Sequence, residues 1–275
     1  MLRVILEIIV GLIFLACGKW FADPNLQAEL YGMAIGIACA LLIEFITYLS
    51  NEKAFLKLYY DCCIKSTTNS NLRLTIAYLY KIEDQGKYLL VKSRNLLNTY
   101  QPVGGVYKYF DPEATHFLNS ISVITDNSIL NDDINERDLR VKMTNRKNIK
   151  KFLKWFFSNT QREIDPWREF HEELVATELL SSNNFKYIHY EKVGQHFETI
   201  HFDTHYKIDT FKYADIYTPK FLNHNQKDEI RNLRNNENIE YIWATETEIK
   251  NEITTDGKRI AKHSYKIFHT KKLPL

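Results

Sequence analysis

The chain has 275 residues, with 36 Lys and Arg against 34 Asp and Glu, and four cysteines. That length allows one or two domains with a sizeable core, and a net charge of +2 is too small to argue for a nucleic-acid partner by itself. Cys17 and Cys39 lie in apolar segments and Cys62 and Cys63 are adjacent, which excludes a disulfide framework or a zinc-ligand spacing and points to a reducing compartment.

Val4 to Cys17 is apolar except for Glu7 and continues through Trp20-Phe21, and Leu30 to Leu49 is apolar except for Glu44 and a few small polar residues. Each approaches the ~20 residues that cross a bilayer core of ~30 Å. They predict a two-helix transmembrane hairpin over residues 1–50, with spans about 4–21 and 30–49. A cleaved signal peptide is the competing reading, but only Arg3 supplies a charged start and no small-x-small cleavage site follows. Arg3 before the first span and Lys53, Lys57 and Lys65 after the second, against one lysine between them, put both termini on the cytoplasmic side. Glu7 and Glu44 then fall at similar depth, where ionisable groups usually face a bundle interior or a water-filled path. Gly32 and Gly36, continued by Ala40, form a small-xxx-small seam that lets helices approach closely. The seam and the glutamates suit either packing within the hairpin or an oligomer whose glutamates line a leak.

Residues 51–71 read as an amphipathic juxtamembrane segment ending in the polar linker Ser66 to Asn71, with the main domain over 72–275. Leu72 to Tyr80 alternates like a strand, and Glu83-Asp84-Gln85-Gly86 is expected to turn it into the next strand as a hairpin. Leu139 to Met143 reads as a strand, followed by a helix over about 146–158. On that helix Ile149, Phe152, Leu153 and Phe156 form an apolar stripe, and Arg146, Lys147, Lys150, Lys151 and Lys154 form a basic side.

Asp165-Pro166 then opens a helix expected to reach Ser181. Glu169, Glu172 and Glu173 crowd onto one of its faces, where like charges repel by roughly 0.2–0.5 kcal/mol per pair, so a positive group is expected there. A solvated acidic face is the plainer alternative. Three alternating segments, 185–190, 197–202 and 211–217, read as strands of a mixed sheet. The six histidines between 171 and 224 show no metal-ligand spacing and are read as strand surface and pocket lining.

Several of these stretches share a pattern. The run Arg168-Glu169-Phe170-His171-Glu172-Glu173-Leu174 resembles the heart of the Nudix box. Upstream, Tyr100-Gln101-Pro102-Val103-Gly104-Gly105-Val106 resembles the Pro-x-Gly-Gly loop that opens it, and Lys87 to Arg94 the strand before that loop. Downstream, Ile239 to Ala244 followed by Thr245 to Ile249 resembles the late strand and helix of Nudix folds. The likeness covers about residues 72 to 270. Two features depart from the family: an insertion at about 110–164 separates loop from helix, and Val175 stands where a small turn residue is usual.

The resemblance implies an α+β chain, with the hairpin followed by a Nudix-like α/β/α domain built on a mixed sheet. It implies Mg²⁺ or Mn²⁺ at Glu169, Glu172 and Glu173, with Glu172 and Glu173 catalytic if the domain hydrolyses its ligand. It also implies a nucleotide beside Gly104 and Gly105, with Tyr100, Tyr107 and Trp167 stacking bases and Lys92, Arg94 or Arg162 meeting phosphate.

A membrane hairpin joined to such a domain resembles the transmembrane SMODS-associated NUDIX effectors of cyclic-oligonucleotide antiphage signalling (CBASS). That likeness implies an inner-membrane, two-pass protein whose domain senses a cyclic oligonucleotide second messenger. Self-association and bilayer damage would follow, with the nucleotidyltransferase that makes the messenger only an indirect partner. The rival expectation is a membrane-tethered, metal-dependent hydrolase of a nucleoside diphosphate derivative.

Overall fold

The computed structural model describes residues 2–20, 23–63, 71–126, 137–236 and 238–268. The chain divides into two units, Met1–Lys57 and Leu58–Leu273.

The first unit holds α1 (Leu2–Trp20) and most of α2 (Pro24–Cys63). Asp23 starts α2, accepting the Asn25 N–H at 2.9 Å, with Pro24 at a position that needs no N–H. Small residues of α1 meet α2. A Cβ on Gly18 would come 2.7 Å from the Tyr31 ring, and one on Gly11 3.6 Å from Ile37. Gly32 and Gly36 have nothing within 4 Å of their added Cβ positions, so that seam lies outside the α1–α2 contact. Leu12, Ile13, Ile35, Leu42 and Ile43 are 51–66% exposed, a pattern that water does not reward. Within α2, Pro24–Thr47 is long and apolar enough to cross a membrane. The helix then runs without a break to Cys63. Most of the expected linker, through residue 70, lies outside the described residues.

The second unit is a mixed α+β domain. Its strands are β1 (Leu72–Tyr80), β2 (Glu83–Asp84), β3 (Lys87–Lys92), β4 (Thr99–Gln101), β5 (Gly104–Val106), β6 (Val123–Thr125), β7 (Arg140–Met143), β8 (His189–Asp203), β9 (Ile208–Lys220), β10 (Tyr241–Thr245) and β11 (Arg259–Ile260). One sheet runs β6-β7-β1-β9-β8 with β5 also on β1, and the other runs β10-β3-β4-β11 with β2 on β3. β1 is parallel to β9 and antiparallel to β7 and β5, so the first sheet is mixed.

The expected hairpin is corrected here. The Gln85-Gly86 turn joins β2 to β3, whereas β1 belongs to the other sheet. Nearly every β1 side chain is buried, and a strand covered on both faces belongs in a sheet centre rather than at one arm of a hairpin.

Alternation along β1 and β9 separates two cores. Leu79, Ala214 and Ile216 face inward with Leu90, Ile242 and Ala244 of the second sheet. On the other face Tyr78 and Tyr80 pack with Tyr107, Phe170 and Tyr217, and Tyr213 with Phe156. The helices of the domain are α3 (Glu113–Ser120), α4 (Ile149–Phe157), α5 (Trp167–Phe170), α6 (His224–Asn235) and α7 (Glu246–Lys250). In α4 the stripe Ile149, Phe152, Leu153 and Phe156 is fully buried, as its spacing requires. Arg146, expected on the basic side, is buried instead, bonded to Asp209 at 3.0 Å and to the Asn71 carbonyl at 2.7 Å. The insertion thus builds into the sheet through β6 and β7 and is held to β1 by a buried Arg73–Asp126 pair at 2.6 Å.

Candidate functional site

The glycine bend is set by its neighbours. Gly104 lies opposite Leu79 and Gly105 opposite Tyr78. An added Cβ on Gly104 would strike the Tyr78 carbonyl oxygen and come 2.9 Å from Leu79 Cα, and one on Gly105 would fall within the Glu169 carboxyl group. No larger residue fits either position without displacing backbone or an ion pair.

The acidic helix differs from its expected form. Asp165 Oδ1 accepts the Trp167 N–H at 2.8 Å, but α5 is only four residues long and passes into a π turn over His171–Val175. There the Ala176 N–H reaches back to the His171 carbonyl at 2.7 Å, and Glu178 has a left-handed φ of 62°. The helix therefore ends well before Ser181. The wider turn brings Glu173 onto the glycine bend, where its Oε2 accepts the Gly104 N–H at 3.0 Å. π turns recur at functional sites.

Arg168 pairs with two of the three crowded glutamates and with Glu163. It lies 3.0 Å from Glu163, 2.6 Å from Glu169 and 3.4 Å from Glu172, and donates to the Val106 carbonyl at 2.9 Å. Glu173, 8% exposed, takes no part in this pairing. Burial, with Glu169 next to it, pushes its carboxyl up to about 8. Burial also raises the Glu163 carboxyl, although Arg168 opposes it.

The glutamates that the Nudix likeness implies as metal ligands are engaged by protein groups in this arrangement. Glu169 and Glu172 both meet Arg168 Nη1, and Glu173 accepts the Gly104 N–H. Among the described residues no group of three His, Cys, Asp or Glu side chains could hold an ion.

Beside the bend lies a cavity of about 620 Å³, within the usual ~300–1,000 Å³ of small-molecule sites. Gly104 and Gly105 line it, with Thr75, Ala77 and Leu79 of β1 and Lys212 and Ala214 of β9. These alternate positions face away from α5, so the glutamates brace the bend from one side of the sheet while the cavity opens on the other. None of the three glutamates lines it.

The other expected ligand contacts lie elsewhere. Tyr107 is buried, its hydroxyl 2.8 Å from Asp215. Arg162 is buried against Phe156, donating to that residue's carbonyl at 2.6 Å. Tyr100 is buried and donates to the Ile239 carbonyl at 2.8 Å, and Trp167 stacks on Phe170 at 5.6 Å. Lys92 pairs with Glu240 at 3.4 Å. Arg94 donates to the Glu172 carbonyl at 3.3 Å, although its neighbours Ser93 and Asn95 do line the cavity. Sequence reasoning missed the charged lining: Arg140, Glu198, His201, Lys212, Lys262 and Lys266. One signal was available, since Lys212 stands between the aromatic residues Phe211 and Tyr213 of β9.

A family model described as the SMODS-associated NUDIX domain matches residues 71–268. No curated protein matches the chain.

Proposed function

From the premise that this chain belongs to the SMODS-associated NUDIX domain family, we propose that it is a membrane effector of cyclic-oligonucleotide antiphage signalling. A cyclic nucleotide enters the cavity beside Gly104 and Gly105, the domains associate, and the N-terminal helices breach the inner membrane.

The observation that carries this reading is the cavity itself: roomy, beside the glycine bend, and lined by four Lys or Arg against one Glu. Anionic ligands suit such a lining. The glutamates hold the bend in shape and leave the cavity to the cations. The hydrolase alternative would need Glu169 and Glu172 to leave Arg168 before they could hold an ion.

The membrane step is supported by the exposed apolar side chains of α1 and α2 and by Gly32 and Gly36, whose surface α1 leaves open. In this reading α1 and α2 form a two-pass hairpin, and the open seam is where a second copy packs. Glu7 and Glu44 then line the assembled path.

The test is release of a trapped dye from liposomes carrying the full chain, with and without each member of a cyclic di- and trinucleotide panel. Release triggered by one nucleotide and suppressed by Gly104→Val is expected. Release that is the same with every nucleotide and with none would overturn the reading.

A further inference from the structure

One wall of the cavity carries an unusual gathering of charge. Glu198 of β8 lies directly across from Lys212 of β9. Its carboxylate meets Lys266 Nζ at 2.6 Å and His201 Nε2 at 3.7 Å. The β8 register slips between Glu198 and His201, and such a bulge re-aims side chains. It lets two residues three apart share one face. Burial alone would raise the Glu198 carboxyl, but Lys266, then Lys212 and His201, hold it below its ordinary value. Burial, reinforced by Lys266 and Lys212, drives the neighbouring His263 imidazole down to about 4, so it stays neutral at pH 7 in a positive field. At the rim Lys262 is exposed and has no anionic partner among the described residues.

Lys266 therefore pairs with one internal carboxylate, Lys212 beside it is taken by Asp203 at 3.1 Å, and Lys262 waits at the rim. A carboxylate and a phosphate group offer the same kind of acceptor to ammonium donors. Lys266, buried to 8% exposure, would be costly to leave without a counter-ion.

We propose that this wall is an oxyanion subsite in which a phosphate group of the ligand is held by Lys262 and Lys266, and that Glu198 is the resting counter-ion of Lys266 that the phosphate displaces. The inference rests on the sensor reading above and adds which side chains read the ligand's charge. Glu198 then works against binding. An empty cavity keeps its lysine neutralised, and only a ligand with enough negative charge replaces the carboxylate. Release of Glu198 also alters β8 at its slipped register, where the strand is least tied to β9.

The experiment is calorimetric titration of the full chain in detergent with inorganic pyrophosphate, repeated with the cyclic nucleotide panel. Saturable pyrophosphate binding that weakens with added salt is expected. Lys262→Gln, an exposed change that leaves the fold intact, should weaken it about tenfold. Glu198→Gln should tighten it several-fold. If that variant fails to fold, the Lys262 comparison decides alone. No pyrophosphate binding at low salt, or binding unchanged in Lys262→Gln, overturns the subsite. A cyclic nucleotide bound equally well by wild type and Lys262→Gln overturns the subsite and leaves the sensor reading standing. Pyrophosphate binding at these lysines with no cyclic nucleotide bound supports the subsite and removes the sensor reading.

Discussion

Glu173 offers the sharpest test of how the glycine bend is built. Its carboxyl is almost wholly buried, accepts the Gly104 N–H, and has Glu169 rather than a cation as its strongest charged neighbour, so it is pushed up from 4.5 to about 8. In the unfolded chain it ionises near its ordinary value. Between those two pH values the native state holds a proton that the unfolded state has lost, so stability falls as pH rises through that window and levels off above about 8. A gap of this size corresponds to roughly 5 kcal/mol at full ionisation. Glu173→Gln keeps the acceptor for Gly104 and removes the ionisation. Wild type and variant should unfold at the same temperature near pH 4.5. Near pH 8.5 the variant should gain about 10 °C, taking ~2–4 °C per kcal/mol for a domain of this size. The measurement is thermal unfolding of the chain in detergent, followed by near-ultraviolet circular dichroism across that pH range. A difference in Tm that does not change with pH, or a variant less stable at every pH, would refute the assignment of a buried neutral carboxyl at the bend.

Other consequences are checked more simply. Gly105→Ala drives a methyl into the Glu169 carboxyl group and should cost roughly 1–3 kcal/mol in denaturant unfolding, with part of the loss recovered in the Gly105→Ala, Glu169→Ala double variant. Arg168→Met leaves Glu163 and Glu169, both largely buried, without their cation and should cost roughly 3–5 kcal/mol by the same measurement. Gly36→Leu adds bulk where α1 makes no contact. It should leave helicity unchanged and abolish nucleotide-dependent cross-linking between copies in liposomes, and cross-linking that persists would remove the seam from the assembly.

Much of the fold could be read from local signals. Alternation located β1 and β7 and the apolar stripe located α4, while the late helix over Thr245 to Ile249 was expected from the family resemblance alone and is α7, closed by a capping box of Thr245 and Glu248. Arg168 was visible in the sequence as a cation within helical reach of the crowded glutamates, and it pairs with Glu169 and Glu172 but not with Glu173. Sheet membership was not legible, because Gln85-Gly86 looks like a hairpin turn whether it joins β1 or the two-residue β2 to β3. Nor was the fate of Arg146, which lies in a 3-10 turn before α4 rather than on the helix and is drawn inward by the Asp209 carboxylate.

By itself, the sequence determined what neighbouring residues decide between themselves: the apolar segments, the periodic faces and the family pattern they compose. Which surface of the domain meets a ligand was decided only in three dimensions. Lys212, Lys262 and Lys266 are brought to one cavity wall because β9 and the turn after β11 meet across the sheet, while the glutamates that drew attention in the sequence face the other way. Charge acts through space, and proximity in space is what the chain must fold to create.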